Sequence, residues 1–244
     1  MRSIIKKMLL ITALTFSLSN AFGHAFWVKT NNTGKKGQLH RVEVFFAEPA
    51  GKPELIDGEE MKSVKKFSVW LLVPGQEKKK LELIPATDHY KTSFTPQHDG
   101  VYKIVLQNEE IEVVDYQQAG IFKSDFYASA VVNVGVVQPS TPSPSGFKFN
   151  ILADQNSSTG KRVTVVLEHQ QIDLSKVTLS VYNEQGWKLD VKVDKESGRS
   201  FFDVLGPGLY FLEAACNDNI NGTYNGKAYN SYYCAATQII DVVK

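Results

Sequence analysis

The sequence predicts an all-β protein built from two β-sandwich domains, and three observations carry that prediction. Short runs rich in β-branched and aromatic residues recur along the chain, at 41–46, 66–73, 100–106, 110–114, 130–137, 162–168, 177–182, 189–193, 209–215 and 231–243. Clusters of Gly, Pro, Asn and Asp separate them, among them Pro74-Gly75, Asp99-Gly100 and Gly206-Pro207-Gly208. No long segment shows the 3.6-residue apolar period of an amphipathic helix. Many short strands at this spacing are the pattern of sandwiches and barrels.

The elements follow in order from the amino terminus. Arg2, Lys6 and Lys7 precede an apolar stretch, residues 8–18, broken only by Thr12, Thr15 and Ser17, and small residues follow at Ser19, Ala21, Gly23 and Ala25. This is the layout of a secretory signal peptide, too short to span a bilayer, and residues 1–23 are assigned to it. No cysteine closes the segment for a lipid anchor, and no later run has the length of a membrane helix. The mature protein is therefore expected to be periplasmic or secreted, with no transmembrane segment. The whole chain carries a net charge of +1; without residues 1–23 its 27 basic residues fall to 24 against 26 acidic ones. That balance leaves no basic excess to neutralise a phosphate backbone and argues against a nucleic-acid partner.

Residues 138–146, from Gln138 to Gly146, hold Pro139, Pro142 and Pro144 among serines and stay out of any sheet interior. They divide the mature chain into a domain at 24–137 and a second at 147–244, each about the size of one small sandwich. In the second, residues 182–187 and 194–198 read as turns, and residues 201–210 read as strand, turn, strand.

Cys216 and Cys234 are the two cysteines, and an oxidising compartment permits them to pair. A three-residue loop at Tyr224-Asn225-Gly226, with Gly226 left-handed, sets Cys216 opposite Cys234; a two-residue Asn225-Gly226 turn sets it opposite Ala235. The sequence thus allows a cross-strand disulfide, worth about 3 kcal/mol in the chain-entropy picture, without forcing one. Two buried free thiols are the alternative.

His24, directly after the signal peptide, is the residue with most chemistry to offer. Cleavage after Ala21 leaves Phe22-Gly23-His24 at the terminus, where an α-amine, two amide nitrogens and an imidazole enclose Cu(II) or Ni(II) in a square plane. Cleavage after Gly23 makes His24 the first residue, whose amine and imidazole chelate copper. Cleavage after Ala25 removes it. His40, His89, His98 and His169 stand alone in sequence. His24, His40 and Glu48 are the candidate metal ligands because they fall in the first two strand regions. A copper-dependent oxidative role would need a second histidine beside His24. Glu59-Glu60 and Glu109-Glu110 read as solvated turn charge, and no nucleophile elbow, HExxH, phosphate loop or calcium loop occurs. The chain is expected to be no enzyme but a binding or accessory protein. An adhesion, carbohydrate-binding or spacer module without metal is the alternative; Tyr229, Tyr232 and Tyr233 near one loop could serve it as a platform, although core or edge packing is the favoured reading of those three side chains.

His24-Ala25-Phe26-Trp27-Val28, the strand ending Phe46-Ala47-Glu48, Phe67-Ser68-Val69-Trp70-Leu71, and the run from Phe94-Thr95-Pro96 to Gly100-Val101-Tyr102 together resemble a bacterial envelope family. That family, a domain of unknown function, is often described as NikM-like, after the periplasmic component of nickel/cobalt uptake. Residues 222–229 and Ala236-Thr237 are similar to its closing segment; Ala47 stands where Gly is common. The resemblance implies two immunoglobulin-like sandwiches and a part in handling Ni, Co or Cu, with His24 as metal-binding residue beside Phe26-Trp27. It also implies a partner such as an envelope metal transporter or an outer-membrane receptor. Tyr102 resembles a packed corner tyrosine. Residues 160–210, ending in Pro207-Gly208-Leu209-Tyr210, resemble transthyretin-like and collagen-adhesin B-type sandwiches.

Overall fold

The structure, a computed structural model, describes residues 23–73, 75–117, 120–135, 145–153 and 162–242. The signal-peptide assignment and residues 138–144 of the expected linker lie outside the described residues. The architecture is all-β. Among the described residues nineteen strands run in order β1 (Ala25–Thr30), β2 (Thr33–Gly34), β3 (His40–Ala47), β4 (Ser68–Leu72), β5 (Lys79–Leu81), β6 (Ile84–Pro85), β7 (Tyr90–Phe94), β8 (Gly100–Asn108), β9 (Val114–Asp115) and β10 (Ile121–Val134). The second half continues with β11 (Phe149–Ala153), β12 (Arg162–His169), β13 (Val177–Asn183), β14 (Lys188–Val191), β15 (Arg199–Asp203), β16 (Gly208–Asp218), β17 (Gly222–Tyr224), β18 (Lys227–Tyr229) and β19 (Ser231–Val242). No described helix is long and apolar enough to cross a membrane.

Half-buried strands form where apolar side chains alternate with polar ones. In β3, Val42, Val44 and Phe46 point inward while Arg41 and Glu43 point to solvent. β1 and β11 are buried on both faces, so their sequences show no alternation. Residues 110–114, expected as a strand, are mostly irregular: β8 ends at Asn108, and only Val114 pairs, with Phe122. Glu59-Glu60, expected in a turn, opens the short helix α1 (Glu59–Val64). Its buried Met61 and Val64 hold it to the core, and buried Asn108 donates from Nδ2 to the Val64 carbonyl at 2.5 Å, closing its end.

The sheet order has an internal symmetry. The ten-stranded sheet reads β14-β13-β16-β19-β10-β8-β4-β5 along its main path. Outward from its centre, β10-β8-β4-β5 and β19-β16-β13-β14 are the same arrangement. One face of the first half is covered by β1-β3-β7-β6, and the second half has its counterpart in β11-β12-β15. The two halves join through β10 and β19, which pair in parallel from Phe122 opposite Ser231 to Ser129 opposite Gln238. Ile104 faces Ala130 as Leu212 faces Gln238, which makes Ser129 and Thr237 equivalent. Their hydroxyls act reciprocally. Thr237 donates to the Phe26 carbonyl on β1, in the other half, and Ser129 donates to the Ile151 carbonyl on β11 at 3.0 Å.

Each hydrophobic cluster likewise draws on both halves. Tyr182, Phe211, Ala235 and Ile239 join the cluster around Phe26 and Trp27. Val105 and Tyr127 join the cluster around Phe149 and Leu212.

Candidate functional site

His24 immediately precedes β1, and its position follows from the β1–β3 ladder. Ala25 is opposite Ala47, and Phe26 is opposite Phe46. The imidazole stacks on Phe46 with centroids 5.5 Å apart. Phe46 is held in turn by Phe26 at 5.0 Å and Phe126 at 6.0 Å. Beyond β3 the chain turns back: Gly51 N–H donates to the Glu48 carbonyl at 2.9 Å, and Glu54 N–H donates to the Phe46 carbonyl at 2.8 Å. This return brings the Glu54 carboxylate to 2.8 Å from His24 Nε2, with the side chains 28% and 33% exposed. Glu54 is the partner that sequence reasoning missed. It lies in an irregular segment, and no periodicity points from residue 54 to residue 24.

The structure does not gather the three expected ligands. Glu48 would follow in register opposite His24, but it is exposed and its side chain makes no hydrogen bond with the imidazole. His40 opens β3 at the opposite end, about 23 Å from Ala47 at the usual strand rise. It is a packed structural histidine: Nε2 lies 2.7 Å from Thr30 Oγ1, the ring lies against Phe94, and burial pushes its pKa down. Glu54 therefore replaces both as the neighbour of His24. Of the other histidines, His89 bonds Asp88 at 2.6 Å through Nδ1, and the backbone of His98 engages the Tyr102 hydroxyl. Among the described residues no group of three or more His, Cys, Asp or Glu side chains could hold a metal.

No family model matches the chain, and no curated protein matches it in sequence.

Cys216 and Cys234 are directly opposite each other on β16 and β19, both buried. Both thiols are free in the structure, and the register that would allow a disulfide is present. Burial raises both thiol pKa values. The three tyrosines pack into or against the core, as their favoured reading expects, and form no shared platform. Tyr232 and Tyr233 are consecutive on β19 and pack into different clusters on its two faces, while Tyr229 packs against the second cluster.

A second constellation went unread in the sequence because β10 begins at Ile121, well before the expected 130. Lys123 and Asp125, two residues apart, face the same side and form a buried ion pair. Lys123 also donates to the carbonyls of Glu109 at 3.0 Å and Ser124 at 2.9 Å. Asp125 accepts from the Tyr232 hydroxyl at 2.6 Å and from Lys148 at 3.4 Å. Lys148 donates to Tyr232 at 2.6 Å, and Tyr127 donates to Glu109. Burial raises the pKa of both tyrosines well above the ordinary phenol. The network satisfies its charges internally and lies where β10, β19 and the approach to β11 meet, so it acts as the polar joint between the halves.

Proposed function

We propose that the protein is an extracytoplasmic binding or accessory protein that holds a transition-metal ion, Ni, Co or Cu, at an amino-terminal His24. One observation carries the reading. Glu54 engages His24 through Nε2, leaving Nδ1 without a partner among the described residues. Nδ1 is the ring nitrogen nearer the backbone, and it closes a chelate with an α-amine at residue 24 or with the amides and amine of Phe22-Gly23-His24. Carboxylate support of the distal ring nitrogen is a common way to orient a ligating imidazole and raise its basicity. Phe46 stacking fixes the ring plane. The remaining nitrogens are assigned to the chain terminus, since among the described residues the side chains alone supply too few ligands. The resemblance to the NikM-like envelope family agrees with this reading and adds the expectation of an envelope transporter or outer-membrane receptor as partner.

The test is amino-terminal sequencing of the exported protein followed by Cu(II) and Ni(II) titration. The expected result is a chain starting at Phe22 or His24 that binds one ion. His24→Ala abolishes binding, and Glu54→Gln weakens it about tenfold or more, as loss of an orienting carboxylate does. A chain starting at Phe26, or equal affinity in wild type and His24→Ala, overturns the proposal.

A further inference from the structure

A groove of about 760 Å³ opens on the outer face of the first half, away from His24, and its volume is in the range of ligand sites. Its floor is the solvent side of β3 and β7, where Arg41 stands opposite Ser93 and Glu43 opposite Lys91. Its wall is β5 and the chain leading to β6. Four cations converge on it: Arg41, Lys79, Lys80 and Lys91. None of their charged groups is within ion-pair or hydrogen-bond distance of a partner among the described residues, although Lys91 stands opposite Glu43 and acts at longer range on Asp88. Against them stand Glu43 and Glu82, so the groove has a surplus of positive charge in a chain that has almost none overall. Leu39 and Ile84, 62% and 65% exposed, add apolar surface at the same place.

Lysines on β5 alone would be explained by protection of a sheet edge. That explanation does not cover Arg41 and Lys91, which lie on inner strands of their sheet, nor two bare aliphatic side chains, which an edge avoids. We infer that this groove binds an extended, acidic polypeptide segment bearing apolar side chains. The acidic groups answer the four cations, and the apolar ones answer Leu39 and Ile84. Among the described residues β5 pairs only with β4, at the end of its sheet, so an extended chain could add to its outer side. No aromatic residue lines the groove, so it lacks the stacking surface used for sugars or for single-stranded nucleic acid.

The groove is at the opposite end of β3 from His24, so peptide binding and metal binding succeed or fail separately. The experiment measures fluorescence anisotropy of a labelled octapeptide alternating Glu and Val, its Lys/Val counterpart, and competition by polygalacturonate. The Glu/Val peptide is expected to bind at least about tenfold more tightly than the Lys/Val peptide, with an affinity that falls as salt rises. Lys79→Glu/Lys80→Glu weakens it by about tenfold or more, and Ile84→Ser weakens it about threefold with the salt dependence unchanged. All these positions are on the surface, so melting temperature and His24 metal titration stay at wild-type values. Equal affinity for the two peptides, unchanged affinity in the charge-reversed variant, or tighter binding of polygalacturonate than of the peptide overturns the inference.

Discussion

Glu213 lies on β16 between Ser180 on β13 and Thr237 on β19. Burial pushes its carboxyl up to about 7, against opposing pulls from Lys188 and a hydrogen bond with Tyr182. A folded-state value above the unfolded one means that the folded protein binds the extra proton. The contribution is fully present below about pH 4.5 and is lost as pH rises through about 7, at a cost of roughly 3 kcal/mol. Urea denaturation across that window is expected to show wild type losing stability relative to Glu213→Gln; parallel curves would refute the assignment. Asp125 is a buried carboxylate held by two lysines and a tyrosine. Asp125→Ala leaves Lys123 buried without its counter-ion, and a loss of about 3–5 kcal/mol is expected by chemical denaturation.

The strands repeat a corner. Gly100 and Gly208 have φ of 142° and 140°, a region open to glycine, and a tyrosine follows two residues later in each case. Tyr102 donates to the His98 carbonyl at 2.8 Å and accepts from the His98 N–H at 3.1 Å. Tyr210 donates to the Gly206 carbonyl at 3.0 Å and accepts from the N–H groups of Leu205 and Gly206. Tyr102→Phe and Tyr210→Phe are expected to cost similar amounts, about 1–2 kcal/mol each, in urea melts.

The Tyr102 corner was legible in the sequence through its resemblance, the Tyr210 one only as a Pro-Gly-Leu-Tyr turn before a strand, and the half-buried strands were legible because turn chemistry and alternation are local. β1 and β11 show no alternation, since both of their faces are covered. The start of β10 reads as polar because its charges are satisfied inside. Glu54 reaches His24 through an irregular return that no spacing encodes. The last hairpin shows a subtler limit. Asn225 and Gly226, with φ of 49° and 77°, make a two-residue turn that pairs Tyr224 with Lys227, yet Cys216 still faces Cys234. The turn is thus the two-residue form and not the three-residue loop, and an extra residue between Asp218 and Gly222 shifts the register by one, which sets Cys216 opposite Cys234 rather than Ala235.

The two halves share a central sheet and exchange strand contacts through Ser129 and Thr237, and their apolar clusters interleave. One cooperative unfolding transition is therefore expected in calorimetry, with equal calorimetric and van't Hoff enthalpies; two separable transitions would show the halves to be energetically independent. Parallel pairing of β10 with β19 also fixes where things emerge. Both repeats open at the pole that carries His24, whereas Val134 and Val242 end their strands at the far one. Asp241 borders a second cleft together with Arg41, which also belongs to the basic groove. A sensor chip that captures the protein at the pole of Val134 and Val242 would thus present the imidazole freely to injected ions while crowding the basic groove against the support. Coupling at the opposite pole would reverse that bias.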